Sequence, residues 1–171
     1  MPSPRISKFE NTEIYFVTFT VIDWMPIFTN KIYFDILIEN LKIYSEKYNA
    51  SIMGYVIMTN HIHLLIKSKD TIKFIQNFKS FTTRELLKHI NDERKPYLVN
   101  SKVFSYQKIW QRTNMPILIY SDRFFNQKLN YIHNNPVEKG YVEAPEDWIY
   151  SSARNYMRND QSIIFVDTEY C

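Results

Sequence analysis

His61-Ile62-His63 is the first place where residue type and spacing invite chemistry. It lies inside the apolar run from Tyr55 to Ile66, at the start of His61–Ser68, which reads as a strand. In a strand, residues i and i+2 point to the same side. Both imidazoles would then face one way while Ile62 packs on the other. Two neutral imidazoles on a rigid strand can hold one divalent cation. Spacing alone equally allows a surface pair, or a pair satisfied by hydrogen bonds. The second feature is Asn130-Tyr131-Ile132-His133-Asn134-Asn135-Pro136-Val137. Tyr131 and Asn135 are four apart, so on a helix they share a face. The Asn135 amide oxygen could then complete a His-His-Asn site with Tyr131 beside it. Pro136 disfavours helical geometry at the residue before it, so this relation holds only if the last turn survives to Asn135. The plainer alternative is a core tyrosine followed by a helix terminator.

A metal ion beside a tyrosine is a combination that can carry nucleophilic chemistry. A divalent cation polarises a phosphate and offsets the added negative charge. A phenol, with a reference pKa near ~10, is a poor nucleophile until a nearby cation favours its phenolate. Two imidazoles suit Mn²⁺ better than Mg²⁺, which prefers oxygen ligands. A structural zinc site is not expected, because Cys171 is the single cysteine and the histidine spacing is wrong for a finger.

Composition bounds the rest. The chain has 171 residues, 45% of them apolar and 16% aromatic, with 13 Tyr and 12 Phe. That is enough to bury the core of one domain. Only two glycines are present, and neither a Walker nor a dinucleotide fingerprint occurs, so no nucleotide cofactor is expected. The lone cysteine excludes an intramolecular disulfide, Met1 to Asn11 have no apolar signal core, and no apolar run is long enough to span a bilayer. A soluble cytoplasmic protein is expected, with no membrane partner. Net charge is +3, but from Lys67 to Lys95 eight Lys or Arg stand against four Asp or Glu, a local surplus of +4. Such a stretch suits either a phosphate-binding surface or a solvated helix face.

The elements that must position these residues follow from periodicity. Ile14–Ile22 reads as a strand, Lys31–Tyr48 as a helix, and Ser51–Met58 and His61–Ser68 as two strands of a hairpin. Thr71–Ile90 reads as a second helix. Phe74, Phe78 and Phe81 lie on its inner face, and Lys73, Asn77, Ser80, Arg84 and Lys88 on its outer face. Asn91–Asn100 reads as a charged loop, Lys102–Trp110 as a fourth strand, Arg123–Asn134 as a third helix stopped near Pro136, and Tyr141–Met157 as a turn plus a short helix. The order β, α, β, β, α, β predicts an α+β fold, a ferredoxin-like (RRM-like, split-βαβ) antiparallel sheet with helices packed on one face. The expected organisation is a leader over 1–12, one domain over 13–158 and a tail over 159–171, either strand or disordered.

From about Tyr15 to Tyr156 the chain resembles a known family. Met58-Thr59-Asn60-His61-Ile62-His63-Leu64-Leu65 is similar to the His-hydrophobe-His (HUH) strand of the IS200-like tyrosine transposases. Phe124 to Val142 (FFNQKLNYIHNNPVEKGYV), followed by Pro145-Glu146-Asp147-Trp148 and Tyr150-Ser151-Ser152-Ala153-Arg154, resembles the REP-associated branch. The resemblance implies Tyr131 as the catalytic nucleophile and His61, His63 and Asn135 as ligands of Mg²⁺ or Mn²⁺. It implies cleavage and rejoining of single-stranded DNA, beside a hairpin, through a 5′-phosphotyrosine. It leaves open a monomer or a homodimer. Lys73, Asn77, Arg84, Lys88 and Arg112 are the candidate DNA-binding residues, with Trp110 as a further contact, whereas Tyr150–Arg154 can equally be a packing motif. The competing readings are a domesticated, non-catalytic nucleic-acid-binding protein, an HUH replication initiator or relaxase, and a water-using metal nuclease that would tolerate Tyr131→Phe.

Overall fold

The computed structural model describes residues 13–93, 101–112 and 115–169. The expected leader over 1–12 lies outside them. Strand β1 (Ile14–Thr20) leads to helix α1 (Lys31–Lys47), then to strands β2 (Ser51–Ile57) and β3 (His61–Lys67). Helix α2 (Thr71–Glu93), a short helix α3 (Lys102–Tyr106), strand β4 (Ile117–Leu118), helix α4 (Asp122–Glu138) and helix α5 (Ala153–Arg158) complete the order. The strands form one antiparallel sheet in the order β2-β3-β1-β4, the ferredoxin-like arrangement. Among the described residues, no helix is long and apolar enough to cross a membrane.

Alternation along the strands gives the sheet two apolar faces. Tyr15, Val17, Phe19, Ile62, Leu64 and Ile66 are buried beneath α1 and α2 with Leu37, Leu41, Phe74 and Phe78. The opposite residues, Ile14, Phe16, Met53, Val56 and Leu65, pack against Phe125, Leu129 and Ile132 of α4. Helices therefore cover both faces, not one, and α4 is the added layer. A bulge in β2 between Ile52 and Gly54 adds one residue on the α4 side. Gly54 is required by close approach: a Cβ there would lie 2.8 Å from Leu129 Cδ1.

The structure corrects several boundaries. Asn91, Asp92 and Glu93 continue α2 instead of opening a loop, because Glu93 accepts hydrogen bonds from Tyr33 Oη at 2.8 Å and Asn30 Nδ2 at 3.1 Å at the start of α1. The remainder of that expected loop, 94–100, lies outside the described residues. Lys102–Trp110 is not the fourth strand. Val103 is buried, but Ser105 to Lys108 are exposed in succession, so the segment lacks the alternation that a sheet face demands. Trp110 makes only an isolated bridge to Val21, and its indole N–H donates to Thr82 Oγ1 at 2.9 Å. The fourth strand is Ile117–Leu118, paired with Phe16 and Tyr15. Phe81 is only half-buried, with the Arg84 guanidinium 4.6 Å above its ring. In the tail, residues 159–169 form no strand, yet Ile164 and Val166 are buried in the α1–α2 core and Asp167 N–H donates to the Ile52 carbonyl.

Candidate active site

The β1–β3 register aligns Thr18 with His63 and Thr20 with His61, on the α4 side of the sheet. His61 and His63 are both buried, and their ring centroids are 4.7 Å apart. Each Nδ1 has an oxygen partner. His61 Nδ1 lies 2.7 Å from Asn60 Oδ1, and His63 Nδ1 lies 2.9 Å from Thr18 Oγ1. The first contact fixes a tautomer. Asn60 uses its amide nitrogen to donate to the Trp24 carbonyl at 3.0 Å, so its oxygen is the atom that faces His61. An amide oxygen only accepts; His61 must therefore carry its proton on Nδ1, which leaves the Nε2 lone pair available.

Burial holds both rings neutral. It lowers His61 to about 4, with Lys139 acting in the same sense and Asn135 opposing it. It lowers His63 to about 3, helped by the neighbouring His61 and by Lys128. Neutral imidazole is the form that ligates a metal.

Helix α4 supplies the rest. Ser121 caps its start by accepting from Phe124 N–H at 3.2 Å. The helix passes through Pro136 to Glu138, so the turn in doubt from the sequence survives. Pro136 costs one helical hydrogen bond. The turn is closed beyond it by Lys139 N–H to the Asn135 carbonyl and Tyr141 N–H to the Pro136 carbonyl. Gly140, at φ 72°, then ends the helix in the left-handed region. Tyr131 is 43% exposed, and its ring centroid is 5.1 Å from that of His63. One turn on, Asn135 is buried against His61, and its Oδ1 meets no donor in hydrogen-bond geometry. An orphaned buried amide oxygen beside two neutral imidazoles fits a divalent cation, and the N₂O donor set suits Mn²⁺ at least as well as Mg²⁺. Among the described residues no group of three or more His, Cys, Asp or Glu could hold a metal, since the third donor here is an amide.

Thus His61, His63, Tyr131 and Asn135 meet at one place. Lys73, Asn77, Arg84 and Lys88 do not join them, because α2 packs on the opposite face of the sheet. Lys73 pairs with Asp70 at 2.9 Å, Lys88 pairs with Glu85 at 2.9 Å, and Asn77 donates to the Tyr48 hydroxyl. Arg112 is exposed. It follows Gln111, whose N–H donates to the Thr20 carbonyl, so it sits at the His61 end of the sheet. Sequence reasoning passed over Lys128, Lys139, Thr18, Asn60 and Trp24, which line or shape the site. Lys128 Nζ lies 4.6 Å above the Phe16 ring and 5.8 Å from the Tyr131 centroid. Only the i, i−3 relation of Lys128 to Tyr131 on the helix signalled any of this. Tyr150 to Ser152 form a packing motif: Ser151 bridges Val56, Ser152 N–H donates to the Tyr55 carbonyl, and together they cover the outer edge of β2.

The chain is similar to known proteins. The profile of a family described as "Transposase IS200 like" matches residues 13–135. A Haemophilus influenzae protein assigned as a REP-associated tyrosine transposase is 30% identical over 107 residues; the match covers 63% of this chain and 61% of that one. The solved structure of a REP-associated tyrosine transposase bound to a REP hairpin has the same fold, with a TM-score of 0.68 at 17% identity, covering 100% of this chain and 92% of that one. A protein of Deinococcus radiodurans assigned as a transposase is similar at a TM-score of 0.51 and 13% identity, covering 77% of this chain and 96% of that one.

Proposed function

The chain belongs to the IS200-like transposase family, and we propose that it cleaves and rejoins single-stranded DNA by transesterification at Tyr131, as REP-associated tyrosine transposases are expected to do. The observation that carries this reading is the meeting of a half-exposed Tyr131 with His63 at 5.1 Å, while Asn135, on the same helix, offers a buried unpartnered oxygen beside His61. His61, His63 and Asn135 would hold Mg²⁺ or Mn²⁺, which when bound polarises the scissile phosphate and offsets its added charge.

Tyr131 Oη attacks phosphorus, the P–O3′ bond breaks, the phenolic proton passes to solvent and the departing 3′-oxygen takes up a proton. The product is a 5′-phosphotyrosine and a free 3′-hydroxyl. A second 3′-hydroxyl reverses the step and reseals the strand, so no nucleotide is consumed. Lys128 and Lys139 place positive charge beside the histidines, where the phosphate would lie. All four central residues come from one chain, which supports a site complete without a second copy. Lys73, Asn77, Arg84 and Lys88 would meet only DNA that runs away from the cut, such as a hairpin stem, whereas Arg112 lies at the site's own end of the sheet.

The test is to mix the protein with labelled single-stranded DNA from the hairpin-containing sequence flanking its own gene, with Mn²⁺, and to resolve the products on a denaturing gel. A protein–DNA adduct that disappears in both Tyr131→Phe and His61→Ala is expected. Cleavage without an adduct, undiminished in Tyr131→Phe, would mark a water-using nuclease instead.

A further inference from the structure

Trp24 stands on the far side of the histidine pair from Tyr131, and the fold spends backbone strain to keep it there. It is 55% exposed, and its indole meets the His61 ring edge-on with centroids 5.5 Å apart. Asp23 and Trp24 have φ of 54° and 56°, two successive non-glycine residues in the left-handed region. Each such residue costs on the order of 1 kcal/mol. Folding alone would place Gly or Asn there and bury the tryptophan. Instead the segment is tied down on three sides. Asn60 Nδ2 donates to the Trp24 carbonyl at 3.0 Å, and Lys102 pairs with Asp23 at 3.0 Å. Val21 N–H and Phe28 N–H donate to the carbonyls of Asn60 and Thr59, the turn that leads into His61. Tyr141, another exposed aromatic near the site, differs. Its ring packs 5.4 Å from Trp148, and its hydroxyl bonds to Thr59 Oγ1 at 3.1 Å, so it forms part of the wall. Trp24 has His61 as its one close ring neighbour among the described residues, and most of its indole surface is open.

We propose that Trp24 is the stacking platform for the DNA base immediately 5′ of the bond that Tyr131 cleaves. The inference rests on the transesterification reading above. In an in-line displacement the attacking and leaving oxygens lie on opposite sides of phosphorus. Tyr131 borders His63, Trp24 borders His61, and the two histidines lie two residues apart along β3. A phosphate held at the histidines and attacked from the Tyr131 side directs its departing 3′-oxygen toward Trp24. The nucleoside that carries this oxygen brings its base against the indole. Stacking tolerates any base and suits a single strand, whose bases are already unpaired. Held in this way, the released 3′-hydroxyl stays beside the phosphotyrosine that a rejoining step must attack.

The experiment first maps the cut through the adduct formed by the wild-type protein. It then measures binding by the Tyr131→Phe protein, which cannot form the adduct, to that strand. The strand is used intact or with an abasic nucleotide either just 5′ or just 3′ of the mapped bond, and against Trp24, Trp24→Phe and Trp24→Ala. Loss of the 5′ base should weaken binding by roughly fivefold to a hundredfold when Trp24 is present. Trp24→Phe should retain most of that dependence, and Trp24→Ala should bind both strands alike. An equal penalty with and without the indole, or a coupling that falls on the 3′ nucleotide, would overturn the subsite while leaving Tyr131 as nucleophile. Absence of any adduct would overturn the transesterification reading and the subsite with it.

Discussion

Asn60→Ala should weaken metal binding without touching a metal donor. Asn60 Oδ1 is the acceptor that holds the His61 proton on Nδ1, at 2.7 Å, while its amide nitrogen secures the Trp24 carbonyl at 3.0 Å. The substitution removes both bonds, which at roughly 1 kcal/mol each puts the stability loss at about 2 kcal/mol. It also frees His61 to carry its proton on Nε2, the nitrogen needed for ligation. Loss of a group that orients a ligating histidine typically lowers metal affinity about 10- to 100-fold. The assay is titration with Mn²⁺ followed by the electron paramagnetic resonance signal of the free ion, paired with ¹⁵N chemical shifts of the metal-free His61 ring. Wild type should show the Nδ1–H tautomer, and Asn60→Ala a mixture with weaker Mn²⁺ binding. Asn60→Asp separates the two roles, since it keeps an oxygen acceptor for His61 and loses the donor to Trp24. It should retain Mn²⁺ affinity within a few-fold. If Asn60→Ala binds Mn²⁺ as wild type does and keeps the Nδ1 proton, the tautomer argument is wrong.

Two further predictions concern the frame around the site. Gly54→Ala puts a methyl group 2.8 Å from Leu129 Cδ1 and should cost about 1–3 kcal/mol of stability by urea denaturation. Combining it with Leu129→Ala should cost less than the sum of the two single changes, and strict additivity would show that the contact is relaxed. Burial lowers His133 to about 4 against an ordinary 6.5, and the ring is hydrogen-bonded at 2.8 Å to Ser152 Oγ. Between these values the unfolded chain binds the proton and the folded one does not, so stability is full above pH 6.5 and falls as pH drops toward 4. The loss attributable to this residue is about 3 kcal/mol. His133→Gln should therefore flatten the metal-free protein's urea-midpoint profile by about one proton's worth of slope across that window. An unchanged slope would mean that His133 titrates normally.

How much of this was legible in the sequence depended on whether a signal was local. The β-branched and aromatic richness of Ile14–Ile22 and the paired runs on either side of Thr59-Asn60 carried β1, β2 and β3, and the 3.6-residue period carried α1 and α2. The His61/His63 pair was legible for the same reason, because strand geometry alone puts both on one side. The fourth strand was not. Ile117–Leu118 is two residues long, too short for any alternation, while the aromatic richness of 102–110 imitated a strand that burial of Val103, Ile109 and Trp110 explains equally well. The end of α2 was hidden because Glu93 is held by Tyr33 and Asn30, partners about sixty residues away. Pro136 argued against the turn bearing Asn135, and tertiary packing of Phe125, Leu129 and Ile132 overrode it. The contributions of Asn60, Thr18 and Trp24 could not be read at all, since each depends on which strand or turn it faces.

The motif that looked least chemical carries the alignment of the site. Tyr131 and the histidines lie on different elements, a helix and a strand, and a 1 Å error between them would cost much of any rate. The Ser152 hydroxyl is the reference point. It meets His133 Nε2 at 2.8 Å, accepts from Tyr55 N–H at 2.9 Å and donates to the Tyr55 carbonyl at 3.2 Å. Tyr55 pairs directly with Leu64, the residue after His63. One hydroxyl therefore ties α4, two residues from Tyr131, to the strand beside the histidines. Tyr156 adds a second tie from the same segment, its hydroxyl donating to the Met53 carbonyl at 2.6 Å. This is why Tyr131-Ile132-His133 and Tyr150-Ser151-Ser152 carry information only as a pair: the first segment brings the nucleophile, and the second fixes where the helix beneath it sits on the sheet. A residue such as His133, buried and pointing away from the reacting centre, is then as necessary to the geometry as those that face it.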